Sequence, residues 1–190
     1  MPETIRSFIA IELPDALKYQ IKEYTNSLSV YAPKTRWVAN QNLHLTLKFL
    51  GDQSKDKLDA LLASLTNESF NIPSFKLQAK QIGAFPNKSK PRIIWLGIDS
   101  EPQNALLTLR NRLEDRLHLL GFEREQKKFK AHLTLSRIKY PMDFSTLWAK
   151  ADKNPFTGFS FPVNSFVLMH SKLKQTGAEY SILQNFSLQG

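Results

Sequence analysis

The chain has 190 residues, 42% of them hydrophobic, which suits one domain or two small lobes sharing a core. Lys and Arg number 26 against 17 Asp and Glu, and the formal net charge of +9 favours polyanionic partners, nucleic acid first, over cationic ones. The absence of cysteine excludes disulfides, thiol nucleophiles and thiolate metal sites together.

Ile5 to Leu13 reads as a strand, and after Pro14 the residues Leu17, Ile21, Tyr24 and Leu28 recur at helical spacing. Arg36 to Val38 is a short extended piece. Leu43 to Phe49 then alternates apolar and polar side chains with period two, which places His44, Leu45, Thr46 and Leu47 on a strand. Gly51 to Ser54 ends that strand. Leu58, Leu61, Leu62 and Leu65 mark a second amphipathic helix, ahead of an extended segment from Phe75 to Phe85. The first half thus reads β-α-β-α-β.

The polar, basic, proline-punctuated stretch from Pro86 to Pro91 is the expected boundary between two lobes of a single domain spanning residues 1–190. Beyond it Arg92 to Asp99 reads as a strand, and Leu106, Leu109, Leu113, Leu117 and Leu120 give a long helix. A basic turn from Arg124 to Lys130 leads to a second alternating strand, His132 to Ile138. A short helical piece from Met142 to Ala151, an extended run from Phe159 to Lys172 and a last strand from Ala178 to Leu188 complete the second lobe. The second half repeats β-α-β-α-β, and the expected fold is α+β, bilobal and duplicated. No apolar run approaches the ~20 residues of a membrane span, so the expectation is a cytoplasmic monomer without membrane or obligate protein partners.

Two segments carry the chemistry: His44 to Leu47 and His132 to Leu135, both His-Leu-Thr-Leu, in a chain with only 4 histidines. Successive side chains on a strand face opposite ways, so the leucines enter the core while His44, Thr46, His132 and Thr134 share the other face. If an approximate two-fold relates the halves, two imidazoles and two hydroxyls meet in one groove. Imidazole titrates near neutrality, so one copy can accept a proton while the other donates one, with no metal and no cofactor. The threonine hydroxyls suit the non-bridging oxygens of a phosphodiester. His118 and His170 lack the following Thr and read as structural. A metallohydrolase is disfavoured, because the two motif histidines are far apart in sequence and no carboxylate cluster accompanies them.

The chain resembles the 2H phosphoesterase superfamily, and within it the RNA 2′,3′-cyclic phosphodiesterase branch, also called 2′-5′ RNA ligase. The likeness rests on R-S-F-I-A-I-E-L-P at Arg6 to Pro14, R-W-V-A-N-Q-N-L-H-L-T-L-K-F-L-G at Arg36 to Gly51, P-R-I-I-W-L-G at Pro91 to Gly97 and A-H-L-T-L-S-R at Ala131 to Arg137. It implies two antiparallel sheets facing a central cleft with helices outside, and hydrolysis of RNA 2′,3′-cyclic phosphate ends, on tRNA fragments or oligonucleotides, to 2′-phosphates. It also implies His44 as proton donor, His132 as proton acceptor and Arg137 as a phosphate contact, whereas spacing alone leaves the two histidines interchangeable.

Strand parity places Arg137 on the leucine face, so a bulge or strand end is expected before it. The same parity brings Lys48 and Lys130 to the groove as further candidate contacts, and Phe8, Trp37 and Phe129 are candidate stacking partners for a base. Alternative readings are a phosphodiesterase for 2′-5′ oligoadenylate or ADP-ribose cyclic phosphate, and a non-catalytic basic RNA-binding module.

Overall fold

The computed structural model describes residues 4–67, 72–175 and 177–188. The elements run in chain order β1 (Thr4–Glu12), α1 (Asp15–Ser29), β2 (Arg36–Trp37), a 3-10 turn (Asn40–Asn42), β3 (His44–Ser54), α2 (Lys55–Asn67), β4 (Phe75–Phe85), β5 (Ile93–Glu101), α3 (Ala105–Leu119), β6 (His132–Arg137), α4 (Ser145–Lys153), β7 (Phe159–Val163), β8 (Ser165–Lys174) and β9 (Gly177–Ser187). All the strands pair antiparallel, in one sheet ordered β3-β1-β8-β9 and another ordered β2-β6-β5-β4-β7. The fold is α+β with two antiparallel sheets, as the resemblance implies.

The apolar periodicity of each helix becomes its buried face: Leu17, Ile21 and Leu28 on α1, Leu58, Leu61 and Leu65 on α2, Leu106, Leu109, Leu113 and Leu117 on α3. These side chains join Leu45, Leu47, Leu133 and Leu135 in one continuous core. Helix α3 ends in a Schellman motif, Phe122 N–H to Leu117 C=O and Gly121 N–H to His118 C=O, both 3.0 Å. Its left-handed residue is Gly121, at φ 77, where any Cβ would be strained. No helix among the described residues is long and apolar enough to cross a membrane.

The C-terminal strands do not complete the second sheet, as expected from chain order; β8 pairs with β1 and β9 with β8, in the first sheet. In exchange β2 and β4, from the first half, lie in the second sheet beside β6 and β5. Each half therefore hands two strands to the sheet of the other, β2 and β4 in one direction and β8 and β9 in the reverse. The expected single run from Phe159 to Lys172 is two strands, broken at Asn164 and belonging to different sheets. Pro162 explains the placement of β7, because a residue without an N–H is tolerated on an edge strand.

Candidate active site

His44 and His132 open β3 and β6, the strands on which the period-two pattern placed them. Each ring is held from behind in the same way: His44 Nδ1 lies 2.8 Å from the Asn42 carbonyl, and His132 Nδ1 lies 2.6 Å from the Lys130 carbonyl. A carbonyl oxygen only accepts, so both Nδ1 atoms must carry hydrogen and donate. Both Nε2 atoms are then left for chemistry. The turn behind His44 is itself fixed, since Asn42 Nδ2 donates to the Ala178 carbonyl at 2.7 Å.

Aromatic rings wall each imidazole. Phe8 and Tyr180 flank His44, with ring centroids 4.7 and 5.1 Å away. Phe85 stands edge-on to His132 at 5.0 Å, with Trp95 at 6.5 Å. Trp95 fits only because residue 83 is glycine: a Cβ there would lie 2.3 Å from the indole. Burial lowers the pKa of both histidines below the usual imidazole value, the carbonyl bonds oppose the shift, and the positive charge of Arg137 lowers both further.

The two motifs also share a backbone irregularity. Ala10 pairs with Thr46 and Ile9 with Lys48, which leaves Leu47 as an extra residue; Trp95 pairs with Thr134 and Ile94 with Ser136, which leaves Leu135. Each bulge resets the parity beyond it. Arg137 is therefore exposed rather than turned into the leucine face, and its charge acts on both imidazoles. Ser136, its neighbour, is buried and donates to the Arg36 carbonyl at 3.0 Å.

The same bulge corrects the expectation for Lys48. Its side chain is buried, with Nζ 3.0 Å from Glu114 Oε2 and 2.6 Å from the Glu123 carbonyl, so the ammonium is occupied within the protein although the residue borders the cavity beside His132. Phe8 is likewise 2% exposed and supports His44 from beneath, which removes it as a stacking surface for a base. Lys130 is exposed, and its Nζ lies 5.6 Å from the Phe85 ring centroid. Trp37 lines a cavity with Arg137, Asn42 and Tyr180, and Phe129 lines another with Thr46 and His132.

These cavities, about 520 and 440 Å³, flank the site on the His44 and His132 sides. Thr46 shares the second with His132, which brings residues of the two motifs to one volume. Thr134 is half-buried in β6 opposite Trp95. Sequence reasoning missed Tyr180, Phe85, Trp95 and Glu114; Gly83 within an apolar strand was the one local sign of a close approach. Among the described residues no three His, Asp or Glu side chains converge on a possible metal position.

The chain is similar to known proteins along most of its length. The family described as LigT like Phosphoesterase matches residues 11–95 and again residues 96–180, a repeat whose junction falls in β5. A Thermotoga maritima protein named RNA 2′,3′-cyclic phosphodiesterase is 32% identical over 187 residues, covering 98% of this chain and 97% of that one. One of the same name from Archaeoglobus fulgidus is 36% identical over 135 residues, covering 71% and 73%. Among solved structures, a Thermus thermophilus protein superposes with a TM-score of 0.80 at 27% identity, covering 98% and 99% of the two chains. E. coli LigT complexed with 3′-AMP superposes with a TM-score of 0.79 at 29% identity, covering 99% and 100%. With the family match spanning both motifs and the two-sheet fold shared along the whole chain, the protein belongs to the LigT-like branch of the 2H phosphoesterases.

Proposed function

We propose that this protein hydrolyses 2′,3′-cyclic phosphates at RNA ends to 2′-phosphates, with two histidines as acid and base and no metal ion. The observation that carries the reading is the pair of imidazoles, each with Nδ1 committed to a carbonyl and Nε2 left for chemistry. In the proposed step the oxygen of a water attacks phosphorus while His132 Nε2 takes its proton. The bond from phosphorus to the ribose O3′ breaks, and His44 gives that oxygen the proton from its Nε2. Thr46, Thr134 and Arg137 neutralise the non-bridging oxygens. The assignment of donor and acceptor follows the family likeness.

Both imidazoles are biased toward the neutral form in the free protein, so His44 gains its proton as the anionic phosphate arrives and offsets Arg137. With an RNA 5′-hydroxyl attacking the cyclic phosphate in place of water and O3′ leaving as before, the same two groups would form a 2′-5′ linkage. The absence of cysteine suits the reducing cytoplasm, where we place the activity.

The test is to incubate the protein, in excess EDTA, with an oligoribonucleotide ending in a 2′,3′-cyclic phosphate and to identify the new end. The expected product is a 2′-phosphate. A 3′-phosphate, or loss of activity to the chelator, would overturn the mechanism. Silence on this substrate together with turnover of 2′-5′ oligoadenylate or ADP-ribose cyclic phosphate would move the specificity elsewhere in the family.

A further inference from the structure

Besides Thr46 and His132, the cavity on the His132 side is bordered by residues that the chemical step leaves unused. Three rings border it, Phe49, Phe85 and Phe129, and Phe49 is 65% exposed on a strand. Lys127, Lys128 and Lys130 border it too, with one carboxylate, Glu125, which accepts from the Lys127 backbone N–H at 3.2 Å; among the described residues none of the three ammonium groups forms an ion pair. Phe49 holds the fifth place after His44, as Arg137 does after His132. The two repeats thus put a ring and a guanidinium at equivalent points of the cleft.

Three ammonium groups exceed what a nucleoside 2′,3′-cyclic phosphate requires. Such a molecule carries a single negative charge, at the phosphorus already served by the threonines and Arg137. A substrate with a second phosphate would give Lys127 and Lys128 an anionic partner, and exposed rings next to lysines match a base joined to its phosphodiester.

The loop that bears the lysines is anchored by buried charge. Glu114, 5% exposed, accepts from Lys48 Nζ at 3.0 Å, from Arg110 at 3.0 Å and from the Glu125 N–H at 3.4 Å. Lys48 also holds the Glu123 carbonyl, and the Arg110 guanidinium lies 5.3 Å from the Phe129 ring centroid. Desolvating these groups offsets much of their attraction, so such a cluster is better explained by the position it enforces than by stability. What it enforces here is the placement of residues 123–129 against the first motif strand.

We propose that the Phe49, Phe85, Lys127 and Lys128 cavity is a second nucleotide subsite, which binds the nucleotide and phosphodiester preceding the cyclic end and makes oligonucleotides the preferred substrates. This rests on the cyclic phosphodiesterase reading above. Its test compares a nucleoside 2′,3′-cyclic phosphate with a trinucleotide carrying the same end, for the wild type, Phe49→Ala and the double variant Lys127→Ala/Lys128→Ala.

The expected result is a lower KM for the trinucleotide with the wild type, and a KM about fivefold or more higher in each variant for the trinucleotide alone, with kcat within about twofold. In the lysine variant the slope of log KM against log salt falls by about 0.7, one single-strand phosphate contact. Equal effects on both substrates, or none on either, would overturn the subsite while leaving the activity reading intact. Turnover of neither substrate by the wild type would overturn both.

Discussion

At the scale of single residues, the site depends on how two imidazoles are kept neutral yet oriented. The carbonyls of Asn42 and Lys130 fix the tautomer, and the rings of Phe8, Tyr180, Phe85 and Trp95 exclude water from the imidazole edges. Arg137 disfavours protonation of both histidines, and in the proposed reaction it would also attract phosphate. Replacing it with glutamine removes a positive charge, which stabilises imidazolium and raises both pKa values. The acidic and basic limbs of the kcat/KM profile in Arg137→Gln should both move to higher pH, on a lower plateau. Limbs that stay in place would show that Arg137 does not act on the histidines.

Among elements, the motif strands were legible, while of their two bulges only the one before Arg137 was anticipated. Period-two alternation placed Leu45, Leu47, Leu133 and Leu135 in the core, because that signal lies within each strand. A bulge is a property of two paired strands, so no feature of His44 to Phe49 alone announces that Leu47 is the extra residue. Parity therefore failed one residue later, and Lys48 lies inward on Glu114 instead of in the groove. For Arg137 the conflict between parity and family likeness did require an irregularity, and the register break falls at Leu135. Glu114 was illegible for a related reason: its helical spacing places it near the leucines of α3, but its partner comes from β3.

For the whole molecule, duplication and strand exchange have to be considered together. The repeat was visible in the matching order of elements, and the family match to residues 11–95 and 96–180 follows the same division. Which sheet each strand joins was not visible, since pairing partners far apart in sequence leave no local trace. Because β4 completes the sheet of β5 and β8 completes the sheet of β1, neither half owns a whole sheet. Chains cut at residue 91 should accordingly be unfolded when expressed singly, by circular dichroism and proteolysis, and recover structure when co-expressed. A stable, folded isolated half would contradict this account of the architecture. Each histidine's motif strand also meets the other repeat: β2 pairs with β6, and Lys48 of β3 is ion-paired with Glu114 of α3.

The division of labour between those histidines is tested most directly with a substrate whose leaving atom needs no proton. A cyclic end in which sulfur replaces the ribose O3′ expels a thiolate, which makes a general acid dispensable. On the ordinary substrate His44→Ala and His132→Ala should each lower kcat by about 10²-fold or more. On the sulfur substrate His44→Ala should return to near the wild-type rate while His132→Ala stays impaired. Rescue of His132→Ala instead would reverse the two roles, and rescue of neither would contradict acid and base catalysis by this pair.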